Sequence, residues 1–150
     1  MMLRVLFLDI DGVLNSNEMF ERVAARGAQL PLGYAQIDRQ AALKVRNLVE
    51  RTDATVVLSS TWRFGWPTPK IAQWIGVQIY GVTPILKSGG GRGREITRWL
   101  DRVAPVFYAI IDDDADAGSG NEDHFVRIDP RVGLTDENCL AVEKILMGTA

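Results

Sequence analysis

The chain has a single cysteine, Cys139. An internal disulfide is therefore excluded, and a lone thiol fits a reducing compartment. No apolar run approaches the roughly 18 residues that cross a bilayer. The N-terminal stretch MMLRVLFLDID turns acidic too soon for the hydrophobic region of a secretion signal. The expectation is a cytoplasmic protein with no membrane partner. The formal net charge of −2 provides no general attraction to nucleic acid, although a local basic patch is compatible with it. Internal repeats and linker-like composition shifts are both missing, and 150 residues suit one domain, 1–150. The one histidine, His124, has no obvious partner and reads as structural. A hydrophobic fraction of 47% with four tryptophans is enough for a core and argues against disorder.

The stretch VLFLDIDGVL, Val5 to Leu14, organises the rest. Its branched aliphatics and Phe7 form a short apolar run, as expected of a strand buried on both faces of a parallel sheet. It ends in Asp9 and Asp11, followed by Gly12. Ligand sites in open α/β sheets lie beyond the carboxyl ends of the strands. Two carboxylates about 4 Å apart repel by roughly 4 kcal/mol at an effective dielectric near 20. Both ionise only when a cation sits between them. Mg²⁺ is commonly held by one or two carboxylates with substrate phosphate, and an aspartate can attack phosphorus. The competing explanation is a solvated acidic turn at a strand end.

Residues 15–37 are mixed and broken by Gly27, Pro31 and Gly33, with a short helix expected over 18–26. Directly following the acidic strand, they are placed as a flap or lid over it. Asp38 is an N-cap for a helix over 38–52, in which Ala42, Val45, Leu48 and Val49 share a face. A second strand, 54–58, ends in Ser59, Ser60, Thr61, Trp62 and Arg63. Hydroxyls there can donate to a phosphoryl oxygen, and Arg63 can pair with phosphate. Trp62 is expected in the core, with stacking on a base or ribose as the alternative. Pro67 and Pro69 open a helix closed by Gly76, and a third strand is expected over 77–82.

The loop 88–94, SGGGRGR, meets neither the P-loop nor the dinucleotide-binding spacing. It leads into a helix, EITRWLDRV, with Ile96, Trp99, Leu100 and Val103 on one face. Arg92 and Arg94 stand at its start, where the helix dipole also favours anions. A fourth strand, 106–111, runs into Asp112, Asp113, Asp114 and Asp116. A calcium loop is excluded there, because Ala117 occupies the position requiring Gly and Asp123 the one requiring Glu. A fifth strand is expected over 124–129. A final helix over 134–147 has Thr135 as N-cap, Leu140, Ile145 and Leu146 among its apolar positions, and Cys139 in the core.

FLDIDGVLN resembles the DxDG(T/V) first motif of the haloacid dehalogenase (HAD) superfamily, mostly Mg²⁺-dependent phosphatases. The wording LSSTWR and RGREI..WL resembles the small capless HAD domains of RNA-repair proteins. The resemblance implies a three-layer α/β/α sandwich with a central parallel sheet, a HAD-like Rossmannoid, and no large cap domain. It makes Asp9 the nucleophile and Asp11 the general acid/base. Ser59, or Ser60 as the alternative, becomes the hydroxyl of the second motif. Arg92 becomes the cation of the third, with Arg94 and Lys87 as alternatives; many family members carry Lys there. Asp112 would orient that cation. Asp9, the backbone carbonyl of Asp11, and Asp113 would hold Mg²⁺, with the choice between Asp112 and Asp113 open. Ser60, Arg63 and Arg94 would contact substrate. The implied activity is phosphomonoester hydrolysis through an aspartyl-phosphate, with RNA or DNA ends the preferred substrate class because an open site suits a bulky partner. Mononucleotides or phosphoproteins are the alternative substrates. A non-catalytic HAD-like binding or regulatory module is the alternative function. The oligomeric state is not implied.

Overall fold

The computed structural model describes residues 2–27, 29–87 and 89–149. Ala28 of the 15–37 segment, Ser88 of the glycine loop and both terminal residues fall outside the described residues. Five strands form one all-parallel sheet: β1 (Arg4–Leu8), β2 (Thr55–Leu58), β3 (Ile79–Val82), β4 (Phe107–Asp112) and β5 (Phe125–Arg127), in the order β3-β2-β1-β4-β5. β1 is central, and Val5 to Leu8 are each 0% exposed. That burial on both faces is what the unbroken apolar run predicts.

Among the described residues four helices flank the sheet, α2 (Arg39–Thr52), α3 (Thr68–Ile75), α4 (Gly91–Val103) and α5 (Asp136–Met147), while α1 (Asn17–Ala25) contributes no residue to either core cluster. Leu6 and Leu8 point to one face, where Val45 and Leu48 of α2, Ile71 and Ile75 of α3 and Val142 and Leu146 of α5 pack. Val5 and Phe7 point to the other, against Ile96 and Trp99 of α4 and Ala117 of a single 3-10 turn, Ala115–Gly118. Phe7 meets Trp99 edge-on at 5.3 Å between ring centroids. The fold is therefore the expected three-layer α/β/α sandwich. Among the described residues no helix is long and apolar enough to cross a membrane.

Local signals set the helix starts. Asp38 accepts from the Gln40 amide at 2.9 Å, and Thr135 caps α5 reciprocally with Asn138. The structure sharpens three of these elements. α4 begins at Gly91, so Arg92 and Arg94 lie within its first turn rather than in a loop. β3 is an edge strand, with Tyr80 and Val82 facing outward. Leu140 is exposed because α5 packs through Cys139, Val142 and Leu146, and Leu140 falls beside that stripe. His124 stacks on Tyr108 at 3.8 Å and bonds its backbone carbonyl through Nδ1.

The connections turn one way from β1 through β2 to β3, then cross to β4 and β5 on the other side. The order reverses between β1 and β4. A crevice opens there, outside the carboxyl ends of the strands.

Candidate active site

Asp9 and Asp112 flank this crevice. Strand pairing continues past the strand ends: the Asp9 amide donates to the Ile111 carbonyl at 3.1 Å and the Ser59 amide to the Leu8 carbonyl at 3.0 Å. The backbone thus presents Asp9, Ser59 and Asp112 side by side. Carboxylate oxygens of Asp9, Asp112 and Asp113 all lie within 4.8 Å of one another. Arg92 Nη1 reaches Asp112 Oδ2 at 2.7 Å and Asp9 Oδ1 at 3.3 Å. Asp112 Oδ1 accepts from the Asp114 amide at 2.9 Å. Both Asp112 oxygens are thereby engaged in holding Arg92 and the following turn. Asp113 packs against Gly12, where a Cβ would lie 2.6 Å from its Oδ2 and where φ is +81°. Gly12 is needed for both reasons, the backbone conformation and the space.

Three carboxylates face one guanidinium, which leaves excess negative charge in a buried place. Burial, then the Asp112 charge, pushes the Asp9 carboxyl up to about 8 against the lowering influence of Arg92. Burial also raises Asp112, against the lowering pull of Arg92. Burial disfavours the charge on Arg92, but Asp9 and Asp112 more than offset this and raise it. Such a cluster either keeps a proton or takes up a cation. An all-oxygen set of closely spaced carboxylates fits a hard divalent ion.

Asp11 stands outside this cluster and is solvent-exposed. Its Oδ1 accepts from Asn15 Nδ2 at 3.0 Å and from Trp62 Nε1 at 3.0 Å. Asn15 also accepts from the Gly12 amide at 2.8 Å, which ties the acidic turn to itself. One carboxylate oxygen is fixed, and Oδ2 has no partner among the described residues. Sequence reasoning gave Asn15 no role and placed Trp62 only as core or as a stacking ring. Trp62 is buried, and its indole N–H orients Asp11. Asn15 closes the quoted first-motif stretch, a local signal that was available; the Trp62 contact spans 51 positions and had none.

The remaining candidates separate. Ser59 Oγ is buried with no hydrogen-bond partner among the described residues. Ser60 Oγ accepts from the Trp62 amide at 3.1 Å and so caps the turn Thr61–Phe64. Arg63 was expected to contact substrate. It turns inward instead, donating to the Ser59 and Ser60 carbonyls at 2.8 Å each and to Glu95 on α4 at 2.9 Å. Its side chain is only 4% exposed. Arg63 and Glu95 brace the end of β2 against the helix that carries Arg92. Arg94 is exposed and lines a separate depression with Thr97, Arg98 and Asp101. Lys87 is exposed, and neither it nor Arg94 pairs with the acidic cluster. A larger cavity of about 480 Å³, bordered by Asp53, Thr55 and Tyr80, lies at the amino ends of β2 and β3 and holds none of these residues.

The brace makes a stability prediction. Removing one partner of a buried ion pair costs about 3–5 kcal/mol, because a charge is left uncompensated. Glu95→Ala is expected to lose that much in urea unfolding, and an Arg63→Met, Glu95→Leu double variant to recover part of it. A loss under about 1 kcal/mol for Glu95→Ala, the level of surface pairs, would show that the pair is not a brace.

An all-parallel Rossmannoid sheet with a carboxylate cluster and an arginine at its switch point is the arrangement expected of a HAD-like protein. The chain belongs to the family described as the HAD domain in Swiss Army Knife RNA repair proteins, whose model matches residues 5–139. No curated protein and no solved structure matches it significantly. Family membership and the buried acidic cluster together support a phosphatase-type role.

Proposed function

We propose that the protein is a Mg²⁺-dependent phosphomonoesterase that acts on terminal phosphates of RNA or DNA through an aspartyl-phosphate on Asp9. The observation that carries this reading is the convergence of Asp9, Arg92, Asp112 and Asp113 at the switch point, with the unpartnered Ser59 hydroxyl alongside. Asp9, Asp113 and the Asp11 backbone carbonyl would hold Mg²⁺, which supplies positive charge that lets a phosphate dianion approach a carboxylate. A carboxylate oxygen of Asp9 attacks phosphorus, and the bond from phosphorus to the leaving oxygen breaks. Asp11, held by Asn15 and Trp62, gives its proton from Oδ2 to that oxygen. It then takes a proton from the water that cleaves the acyl phosphate, releasing inorganic phosphate and restoring Asp9. Arg92 offsets charge as the anion approaches, and Ser59 Oγ donates to an oxygen of the transferred group. Asp112 acts through Arg92.

In this reading Arg63 belongs to the scaffold, and Ser60 Oγ caps its turn. The segment 15–37 supplies Asn15 and the short helix beside Asp11, which suits a small lid and leaves the site open to a chain end. The direct test is turnover of an aryl phosphate with Mg²⁺, followed by end-phosphorylated oligonucleotides against free nucleotides and phosphopeptides. No hydrolysis of any phosphomonoester would support a non-catalytic module.

The raised Asp9 carboxyl also gives a pH prediction. In the metal-free protein the group releases its proton near 8, against an ordinary 3.8 in the unfolded chain. The stability linked to that proton is fully present below 3.8 and is lost as pH rises through about 8. Bound Mg²⁺ replaces the proton, so its stabilising effect grows in the same direction. The rise in melting temperature on adding Mg²⁺ is expected to be larger at pH 8 than at pH 6. An equal or reversed rise would remove Asp9 from the metal site. Ca²⁺, which prefers more ligands and looser geometry, is expected to support turnover poorly.

A further inference from the structure

Beside Asp11 the surface opens into a depression of about 250 Å³, bordered by Asp11, Asp113, Ser16, Asn17, Phe20 and Pro130. This is smaller than the roughly 300–1,000 Å³ that encloses a whole drug-sized ligand. It suits one part of a substrate, and its place beside the proton donor makes that part the leaving group. Its chemistry excludes an anion. Two carboxylates line it, and the first amides of α1 are all engaged. Asn17 donates to the Pro130 carbonyl at 3.0 Å, Glu18 to the Arg131 carbonyl at 3.0 Å and Met19 to Ser16 Oγ at 3.1 Å. The helix start therefore offers no phosphate cradle. It offers the ring of Phe20, 39% exposed and next in the helix to buried Met19, together with the exposed amide side chain of Asn17. A flat, uncharged ring with polar edges is the complement of such a surface.

Past Pro130 the chemistry changes. A second depression, about 340 Å³, shares Pro130 and is bordered by Arg127, Ile128 and Asp129. Asp129 pairs with Arg131 at 2.8 Å. Arg127 donates from Nε to the Asp113 carbonyl at 3.2 Å, and no carboxylate among the described residues pairs with it. Asp113 adjoins both depressions: its side chain borders the one with Phe20 and its carbonyl holds Arg127, so an aromatic platform and a cation lie on either side of Pro130, both beside the acidic cluster. A nucleotide chain alternates an anion, a flat ring and an anion at one-residue spacing; a peptide does not.

We infer that the depression beside Asp11 is a nucleoside subsite, in which the terminal base of a single-stranded nucleic acid stacks on Phe20 while the next phosphate meets Arg127. The inference rests on the phosphomonoesterase reading above and adds to it which part of the substrate is recognised, and by which side chains.

The test compares, with Mg²⁺ present, oligonucleotides whose terminal phosphate is carried by a normal or by an abasic sugar. The wild type is expected to favour the base-bearing end in kcat/KM by about tenfold, within the range of one stacked base. Phe20→Ala should bring that ratio to about one, and Phe20→Tyr should keep it. Arg127→Ala should lower kcat/KM for the oligonucleotide more than for a mononucleotide, and should reduce the salt dependence by about one phosphate contact. A wild-type ratio near one, or a ratio unchanged in Phe20→Ala, overturns the subsite. So does a phosphotyrosine peptide that outperforms the oligonucleotide. If the wild type hydrolyses no phosphomonoester, the enzyme reading fails by itself. The same base-to-abasic ratio, read as Kd by fluorescence anisotropy on the Asp9→Asn protein, then decides the subsite without turnover.

Discussion

Asp9→Asn is expected to take up no phosphoryl group, and Asp11→Asn to accumulate one. Both residues sit in the same acidic turn, so a site that merely bound metal would lose function alike on either change. The geometry separates them. Asp9 lies buried against Arg92 and the carboxylates of Asp112 and Asp113. Asp11 is exposed, with Oδ1 held by Asn15 and Trp62. Asn at position 9 lacks the attacking carboxylate, and losing a covalent nucleophile lowers kcat on the order of 10⁶-fold. Asn at position 11 keeps an oxygen for Asn15 and Trp62, so the turn is preserved. It removes the proton donor and base, a loss of roughly 10²–10⁴-fold. An aryl phosphate has a leaving group that scarcely needs protonation, so its first step persists while hydrolysis of the intermediate stalls. Acid-quenched intact-protein mass spectrometry should find the added phosphoryl mass on Asp11→Asn, mapping to Asp9. Label on Asp9→Asn, or on any other residue, would overturn the mechanism.

Arg92→Ala is expected to lower kcat/KM by about 10³-fold, equivalent to about 4 kcal/mol of barrier. Arg94→Ala should cost far less, because Arg94 faces a separate depression. Many HAD family members carry a lysine at this position, and a guanidinium is not in general a compact point charge. Yet one nitrogen, Nη1, makes both contacts, to Asp9 and to Asp112. At this site the arginine acts as a single positive centre, so Arg92→Lys should recover a large part of the activity. Steady-state kinetics on the three variants checks this. Equal losses for Arg92→Ala and Arg94→Ala would move the role away from Arg92 and leave the phosphatase reading standing.

The sequence alone determined the features that depend on neighbouring residues. The apolar run Val5–Leu8 had to be a strand buried on both faces, and the caps Asp38 and Thr135 announced α2 and α5 through their own first turns. The succession of acid, hydroxyl, cation and acid at strand or helix ends was likewise readable, because each lies at a boundary that local pattern marks. Tertiary structure decided where the side chains went. Arg63 carries the charge expected of a phosphate ligand, but Glu95 on another element turned it inward. Asp112 and Asp113 are chemically identical neighbours, yet only Asp112 meets Arg92. The glycine-rich stretch, a loop by sequence, includes Gly93 within the first turn of α4, where a Cβ would come within 2.5 Å of the Asp116 carbonyl. Its missing side chain lets α4 lie close to the 115–118 turn, with Arg92 in reach of Asp112. A charge or a glycine states what a residue is able to do. Its partners, brought from distant positions by the fold, decide which of those things it does.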